Sequence, residues 1–271
     1  MKLKITNKQK VFDFELHPSD KGKGEGQMRI FRGNTYPLLE KIKPQTILDI
    51  GGNIGATAVY FALNYPSANI FTFEPSNSNF DILARNTISF PKIKAFNKGV
   101  FNRDVKKKIF IDNSGGGKNS IHESWTNSRN FEVVEFIDIK KFIIREKIVK
   151  IDILKIDTEG CEVKILKAIN SYISDIDVIY LEYHSREDRE TISSMLMKSH
   201  NLIHESFLKI PISSNYLIGK VLKDDLHRDK KILLRSGTIL NDKHRQIFSA
   251  MGLQTINTFC DELGELTFRK K

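Results

Sequence analysis

Residues 46–55 read TILDIGGNIG, and the assignments in the rest of the chain follow from how that stretch is read. Ile47, Leu48 and Ile50 make an apolar run of strand length. Asp49 interrupts it, and the turn Gly51-Gly52-Asn53-Ile54-Gly55 ends it. A helix is predicted to start near Ile54. Glycine lacks a Cβ and tolerates positive φ, so a ligand can lie against the backbone of such a turn. The first amides of the following helix point at whatever sits over it.

Two cofactor classes use a strand, a glycine turn and a helix in this order. The dinucleotide fingerprint needs glycine at the first, third and sixth positions of the turn. Counted from Gly51, those positions hold Gly51, Asn53 and Ala56, a poor match. The S-adenosylmethionine (SAM) pattern is an acid, one residue, then small residues closing on a glycine. Asp49-x-Gly51-x-x-x-Gly55 fits it. A turn that holds no ligand is the plainer alternative.

From residue 46 onward strand and helix patterns alternate, the mark of a parallel sheet covered on both faces. Further strands are predicted at 69–74, 92–97, 151–157 and 177–182. Helices are predicted at 54–64, 76–89 (capped near Ser76), 138–146, 159–170 and 187–199. Segments 107–111 and 131–137 read as a strand pair around a long polar excursion, 112–130. Before the glycine turn, 3–16 reads as a hairpin, 20–26 as a polar connector, 28–31 as a short strand and 36–42 as a short helix. After 207 the pattern weakens: a helix at 242–251 and a last strand at 266–268 are predicted, and 208–241 has no assignment. The expected organisation is a lead-in at 1–45 and one domain at 46–271, with 208–262 as an extension before the last strand.

The chain has 271 residues, enough for a full core without disulfide staples. Its 43 basic and 33 acidic residues give a net charge of +10. That balance fits an anionic partner, although the lysine runs (106–108, 140–141, 230–231) are scattered, as on an ordinary solvated surface. Cys161 and Cys260 form no ligand pair, and no apolar run approaches the length of a membrane span. The N-terminal stretch MKLKITNKQK has no apolar signal region, so the chain reads as cytoplasmic.

Three further groups of residues could carry chemistry. Glu74 ends the second strand 19 residues after Gly55, where nucleotide-binding folds place an acid on ribose hydroxyls. Asp157 ends a very apolar strand at the sheet edge where open α/β folds bind ligands. Glu159, Gly160 and Glu162 follow it; acids in a first helical turn also serve simply to complement the helix dipole. Glu182 and His184 fall at the end of the next strand, and His184 is the side chain best suited to proton transfer near neutrality. A histidine satisfied in the core is the plainer reading. The acids at this edge could hold Mg²⁺, but no metal-ligand motif is present, and no metal residue is assigned. His200 and His204 lack the glutamate of a zinc-protease motif and read as structural. The excursion at 112–130, with its three consecutive glycines, single tryptophan and His122, is a candidate lid over the acceptor.

Taken together, ILDIGGNIG, FTFEPSNSNFDIL, the NKG at 97–99, LKIDTEGCEVKILK and VIYLEYH, in this order and spacing, resemble the FkbM-type SAM-dependent methyltransferases. The resemblance covers roughly residues 32–206. It implies a class I methyltransferase fold: a Rossmann-like α/β domain with a mostly parallel seven-stranded sheet and helices on both faces. It also implies O-methylation of a hydroxyl on a sugar, glycan or natural product. By the resemblance, Asp49, Gly51, Asn53 and Gly55 line the SAM pocket, Glu74 holds ribose, and Asp157 lies near the reacting centre. Gly52, Pro75, Ser76 and Asn97, inside the same motifs, are grouped with the cofactor residues. Asp157, Glu159, Glu182 and His184 are the catalytic candidates. The family usually has alanine where Gly52 stands. Two other readings compete. An RNA methyltransferase suits the charge, but IDTEG stands where a base-methylation motif would follow the fourth strand. A SAM-binding scaffold without chemistry fits less well, because Asp49, Glu74 and Asp157 are all present.

Overall fold

The computed structural model describes residues 1–7, 10–20, 23–39, 42–112, 119–122, 126, 129–207, 231–234, 254–257 and 264–271. In chain order, β1 (Lys2–Asn7) and β2 (Lys10–Glu15) pair antiparallel as a hairpin, followed by α1 (Glu25–Phe31). Strand and helix then alternate through β3 (Thr46–Ile50), α2 (Ala56–Asn64), β4 (Asn69–Phe73), α3 (Asn77–Thr87) and β5 (Ile93–Phe96). A side sheet follows: β6 (Gly99–Phe101), β7 (Val105–Phe110) and β8 (Phe131–Asp138). The chain returns through α4 (Ile139–Arg145), β9 (Ile153–Ile156), α5 (Glu162–Ala168), α6 (Asn170–Ile173), β10 (Val178–Tyr183), α7 (Arg186–Leu196) and β11 (His200–Phe207). Beyond it, β12 (Lys231–Leu234) pairs with β13 (Gln254–Asn257), and β14 (Gly264–Lys270) ends the chain.

The main sheet has seven strands in the order β11-β14-β10-β9-β3-β4-β5. Pairing is parallel from β10 to β5, and β14 runs antiparallel to both its neighbours. This is the α/β architecture of class I methyltransferases expected from the sequence. Its central strands are apolar runs buried on both faces, as parallel strands covered by helices must be. Leu48, Ile50, Leu154 and Ile156 pack on one side with Phe142, Ile165 and Leu166 from α4 and α5. Ile47, Ile70, Ile153 and Tyr180 pack on the other with Ala58 and Phe61 from α2. The hairpin covers α2 and α3 through Ile5, Phe14 and Leu16.

The chain leaves β3 toward β4 and β5 on one side, and returns to β9 and β10 on the other. Order reverses between β3 and β9, and ligands of open α/β sheets bind outside such a point. The turn after β3 and Asp157 after β9 therefore meet at one edge.

Several expectations need correction. Residues 36–39 form no helix. Their carbonyls serve tyrosine hydroxyls instead: Tyr60 donates to the Tyr36 oxygen (3.0 Å) and Tyr180 to the Pro37 oxygen (2.7 Å). Residues 25–31, expected as connector and strand, form α1, whose Met28, Ile30 and Phe31 pack against the hairpin cluster. The helix predicted from Glu159 starts only at Glu162, because Glu159 (φ 53°) and Gly160 (φ 116°) are left-handed. The strand β6 was not foreseen; it joins the predicted strand pair as a third member. His200 lies in β11, where its Nε2 meets the Ile176 carbonyl at 2.8 Å, a structural contact. The 242–251 helix and most of the 112–130 excursion lie outside the described residues.

Candidate active site

The turn after β3 is tied to β4, since the Gly51 and Gly52 amides both donate to the Phe73 carbonyl (3.0 and 2.8 Å). Gly51 is left-handed (φ 86°), and a Cβ there would lie 1.6 Å from the Asp157 carbonyl oxygen. Only glycine lets β3 and β9 approach this closely at the edge. Asn53 is also left-handed (φ 49°), which presents its amide to Glu74: N–H donates to Oε2 at 2.9 Å. The Ser76 amide donates to Oε1 at 2.9 Å. Glu74 thus holds the turn and the start of α3 with one carboxylate. Ser76 occupies the cap position of α3, but its hydroxyl contacts Ser78 Oγ (3.2 Å) and makes no capping bond. Burial pushes the Glu74 carboxyl up to about 7, and the Ser76 and Asn53 amides oppose that rise only in part. Asn97 fixes the next turn by donating to the carbonyls of Glu74 and Pro75 (3.1 and 3.3 Å).

A cleft of about 630 Å³, counting the solvent at its mouth, opens over this edge. Gly51, Asn53, Glu74 and Pro75 line one side, and Asp157, Thr158 and Glu159 another. Val100, Ile109, Ile121 and Phe136, largely from the side sheet, give it an apolar wall. Such a mixture of apolar wall and few polar groups is typical of cofactor pockets. Of the other candidates, Asp49, Gly52, Gly55, Ser76, Asn97, Glu182 and His184 stand behind the cleft lining. Asp49 is fully buried; it accepts from Thr72 Oγ1 (2.8 Å) and faces Lys155 Nζ (3.4 Å).

The acidic edge is a connected cluster. His184, with a side chain only 2% exposed, has Nε2 at 3.1 Å from Glu159 and 3.4 Å from Glu182, and Nδ1 at 3.8 Å from Glu162. Burial alone would lower its pKa, but the Glu159 and Glu162 carboxylates outweigh that and hold it well above the usual histidine range. That rise favours the protonated ring, with the Glu159 and Glu162 carboxylates as its cause. Burial raises Glu159, with His184 opposing, and raises Glu182 well above the carboxylate range, with Asp157 adding to the rise. Burial also acts to raise Asp157, but Lys155 reverses the balance and leaves it lowered. Glu162 closes the loop before α5: its Oε1 accepts from the Thr158 amide (2.7 Å) and hydroxyl (2.8 Å), and its Oε2 from the Gly160 amide (3.0 Å). That is a structural task. Glu159, like Asp157, both lines the cleft and is braced from behind. The backbone strain at Glu159 is of the kind found at functional positions.

Ligand atoms of Glu159, Glu182 and His184 lie within 4.8 Å of one another. The sequence reading missed two residues. Lys155 had a signal, a charge inside the apolar run ILKI, where lysine is almost never buried without a partner. Tyr36, whose hydroxyl donates to Asp157 Oδ2 (3.3 Å), had none.

This geometry fits the SAM class, with a glycine turn packed too tightly against its neighbours to admit a Cβ at Gly51 or Gly52 and an acid fixed beside it. The pattern of the methyltransferase FkbM domain matches residues 49–211. Hexuronic acid methyltransferase AglP of Haloferax volcanii is 23% identical over 189 residues, 69% of this chain and 75% of that protein. Methyltransferase sdnD of Sordaria araneosa is 26% identical over 172 residues, 52% of this chain and 66% of that one. Among solved structures, the FkbM methyltransferase of Methylobacillus flagellatus superposes with a TM-score of 0.47 at 14% identity, covering 67% of this chain and 44% of that one. The chain spans less than half the length of that protein. With the family pattern matching well over half of its residues, the chain belongs to the FkbM methyltransferase domain family.

Proposed function

We propose that the protein is a SAM-dependent O-methyltransferase acting on a hydroxyl of a sugar, glycan or natural product. One observation carries the reading: Glu74, fixed by the Asn53 and Ser76 amides, faces Asp157 and Glu159 across a single cleft. Each Glu74 oxygen accepts one backbone amide, and the carboxylate lines the cleft where ribose hydroxyls would donate to it. Val100, Ile109 and Phe136 offer the apolar surface that a purine ring needs.

SAM supplies a methyl group on a sulfonium, which departs as a neutral thioether. The chain's task is to align an acceptor oxygen with that methyl and to remove its proton, and alignment supplies most of the rate. Glu159 is the base in this reading. It reaches the cleft, its pKa is raised toward neutrality, and His184 fixes its orientation. The hydroxyl proton passes to the Glu159 carboxylate as the oxygen–methyl bond forms. Asp157, its pKa lowered by Lys155, would offer a negative charge to the cationic sulfonium of bound SAM. An anionic acceptor is favoured by the net charge of +10 and by the name of the hexuronic acid relative.

The test is transfer of labelled methyl from SAM to a panel of uronic acid and neutral glycosides, followed by mild alkali. Label that survives alkali is a methyl ether and supports the reading. Label released by alkali is a methyl ester and would move the acceptor from hydroxyl to carboxylate. Transfer to RNA alone would replace the acceptor class altogether. Among the described residues, no helix is long and apolar enough to cross a membrane.

A further inference from the structure

We propose that Lys155 is a positioning residue that locks the glycine turn to the acidic edge, so that the cofactor cradle and Asp157 move as one unit. The proposal rests on the methyltransferase reading and gives a role to a residue of the LKIDTEG motif that had none. Lys155 sits in β9 opposite Asp49 of β3, with its side chain 2% exposed. A buried ammonium is costly unless its donors are all used. Here Nζ donates to the Gly51 carbonyl at 2.6 Å and to the Ile50 carbonyl at 3.4 Å. Asp49 Oδ1 stands at 3.4 Å and Asp157 Oδ2 at 3.6 Å. The Tyr36 ring lies over it, 6.0 Å from Nζ to centroid, while the Tyr36 hydroxyl holds the same Asp157 oxygen from the other side.

The order of these distances separates positioning from simple charge balance. A lysine kept only to neutralise Asp49 would make its shortest contact with that carboxylate. The shortest contact is instead with the carbonyl of Gly51, the residue whose left-handed backbone forms the cradle. Asp157 is gripped from two directions, by Lys155 in the strand that precedes it and by Tyr36 from the lead-in segment. The arrangement fixes the Gly51 carbonyl and the Asp157 carboxylate, both on residues that line the cleft. Removal of the ammonium frees both, although Lys155 itself is not part of the cleft lining.

The experiment is calorimetric titration of wild type, Lys155→Met and Lys155→Gln with SAM and with S-adenosylhomocysteine, alongside near-ultraviolet circular dichroism. Lys155→Met should stay folded and bind both ligands about tenfold or more weakly, the scale of one charge-assisted hydrogen bond. Lys155→Gln keeps a donor for the Gly51 carbonyl and should recover part of that loss. Dissociation constants within twofold of wild type in folded Lys155→Met would overturn the proposal. Should Lys155→Met unfold, Lys155→Met/Asp49→Asn removes the Asp49 charge that faces the lost ammonium and is compared with Asp49→Asn alone, which carries any effect of Asp49 itself. A further loss in the double variant supports positioning, and equal affinities in the two refute it. A wild-type protein that binds neither ligand would overturn the methyltransferase reading, and this proposal with it.

Discussion

Replacing Glu74 with glutamine probes the cofactor cradle and its electrostatics at once. In the wild type, both carboxylate oxygens accept a backbone amide at 2.9 Å, and the group is 6% exposed. A glutamine can satisfy only one of those amides; its NH₂ faces the other, leaving a buried donor unpaired at about 1–3 kcal/mol. Against that stands the pH linkage. Burial raises the Glu74 carboxyl from 4.5 to about 7, equivalent to about 3 kcal/mol. The sign follows from the direction: stability from the raised pKa is full below the unfolded value and is lost as pH rises through about 7. Urea unfolding without SAM should therefore show wild type ahead of Glu74→Gln at about pH 5, with the gap closing toward about pH 8. Binding should move the opposite way, because ribose hydroxyls donate best to the ionised carboxylate. Wild-type affinity for SAM should fall about tenfold for each pH unit below about 7, while the glutamine variant binds weakly and without that slope. Equal, pH-independent affinities in the two proteins would refute both the ribose role and the charge argument.

Gly51→Ala puts a Cβ 1.6 Å from the Asp157 carbonyl at a left-handed position, so SAM binding should vanish and the melting temperature fall. Gly52→Ala, the residue usual in the family, meets Thr72 Oγ1 at 2.2 Å and must displace the hydroxyl held by Asp49. The expected cost is about 1–3 kcal/mol, and Thr72→Ala in the same chain should relieve most of it in a double-mutant cycle. Glu159→Gln should lower kcat by about 10²–10⁴ while leaving the SAM dissociation constant within about threefold. It should also abolish the rise of kcat with pH that follows from deprotonation of a carboxyl held above its ordinary range.

The fold was legible where burial dictates sequence. Each central strand is an apolar run because parallel strands are covered on both faces, and each run ends in the polar or glycine residue that meets the cleft. The segments that went astray were those whose conformation depends on distant partners. Residues 36–39 read as helix by local preference, yet Tyr60 and Tyr180 take their carbonyls from across the sheet. Glu159 looked like a first-turn helical acid, and only the Glu162 carboxylate folding back on Thr158 and Gly160 explains the loop. In the site, Glu74 could be placed by its spacing from the glycine turn. The division of labour among Asp157, Glu159, Glu182 and His184 could not, because it is set by which side chain faces the cleft and which stands behind. His184 shows the difference. Its residue type points to a proton acceptor, and the Glu159 and Glu162 carboxylates beside it raise its pKa well above the usual histidine range.

Calorimetric titration of the wild-type protein with SAM tests the central claim most directly. Saturable one-site binding at micromolar concentration, lost in Gly51→Ala, is the predicted result. No heat of binding at millimolar SAM, from protein shown to be folded, would contradict it.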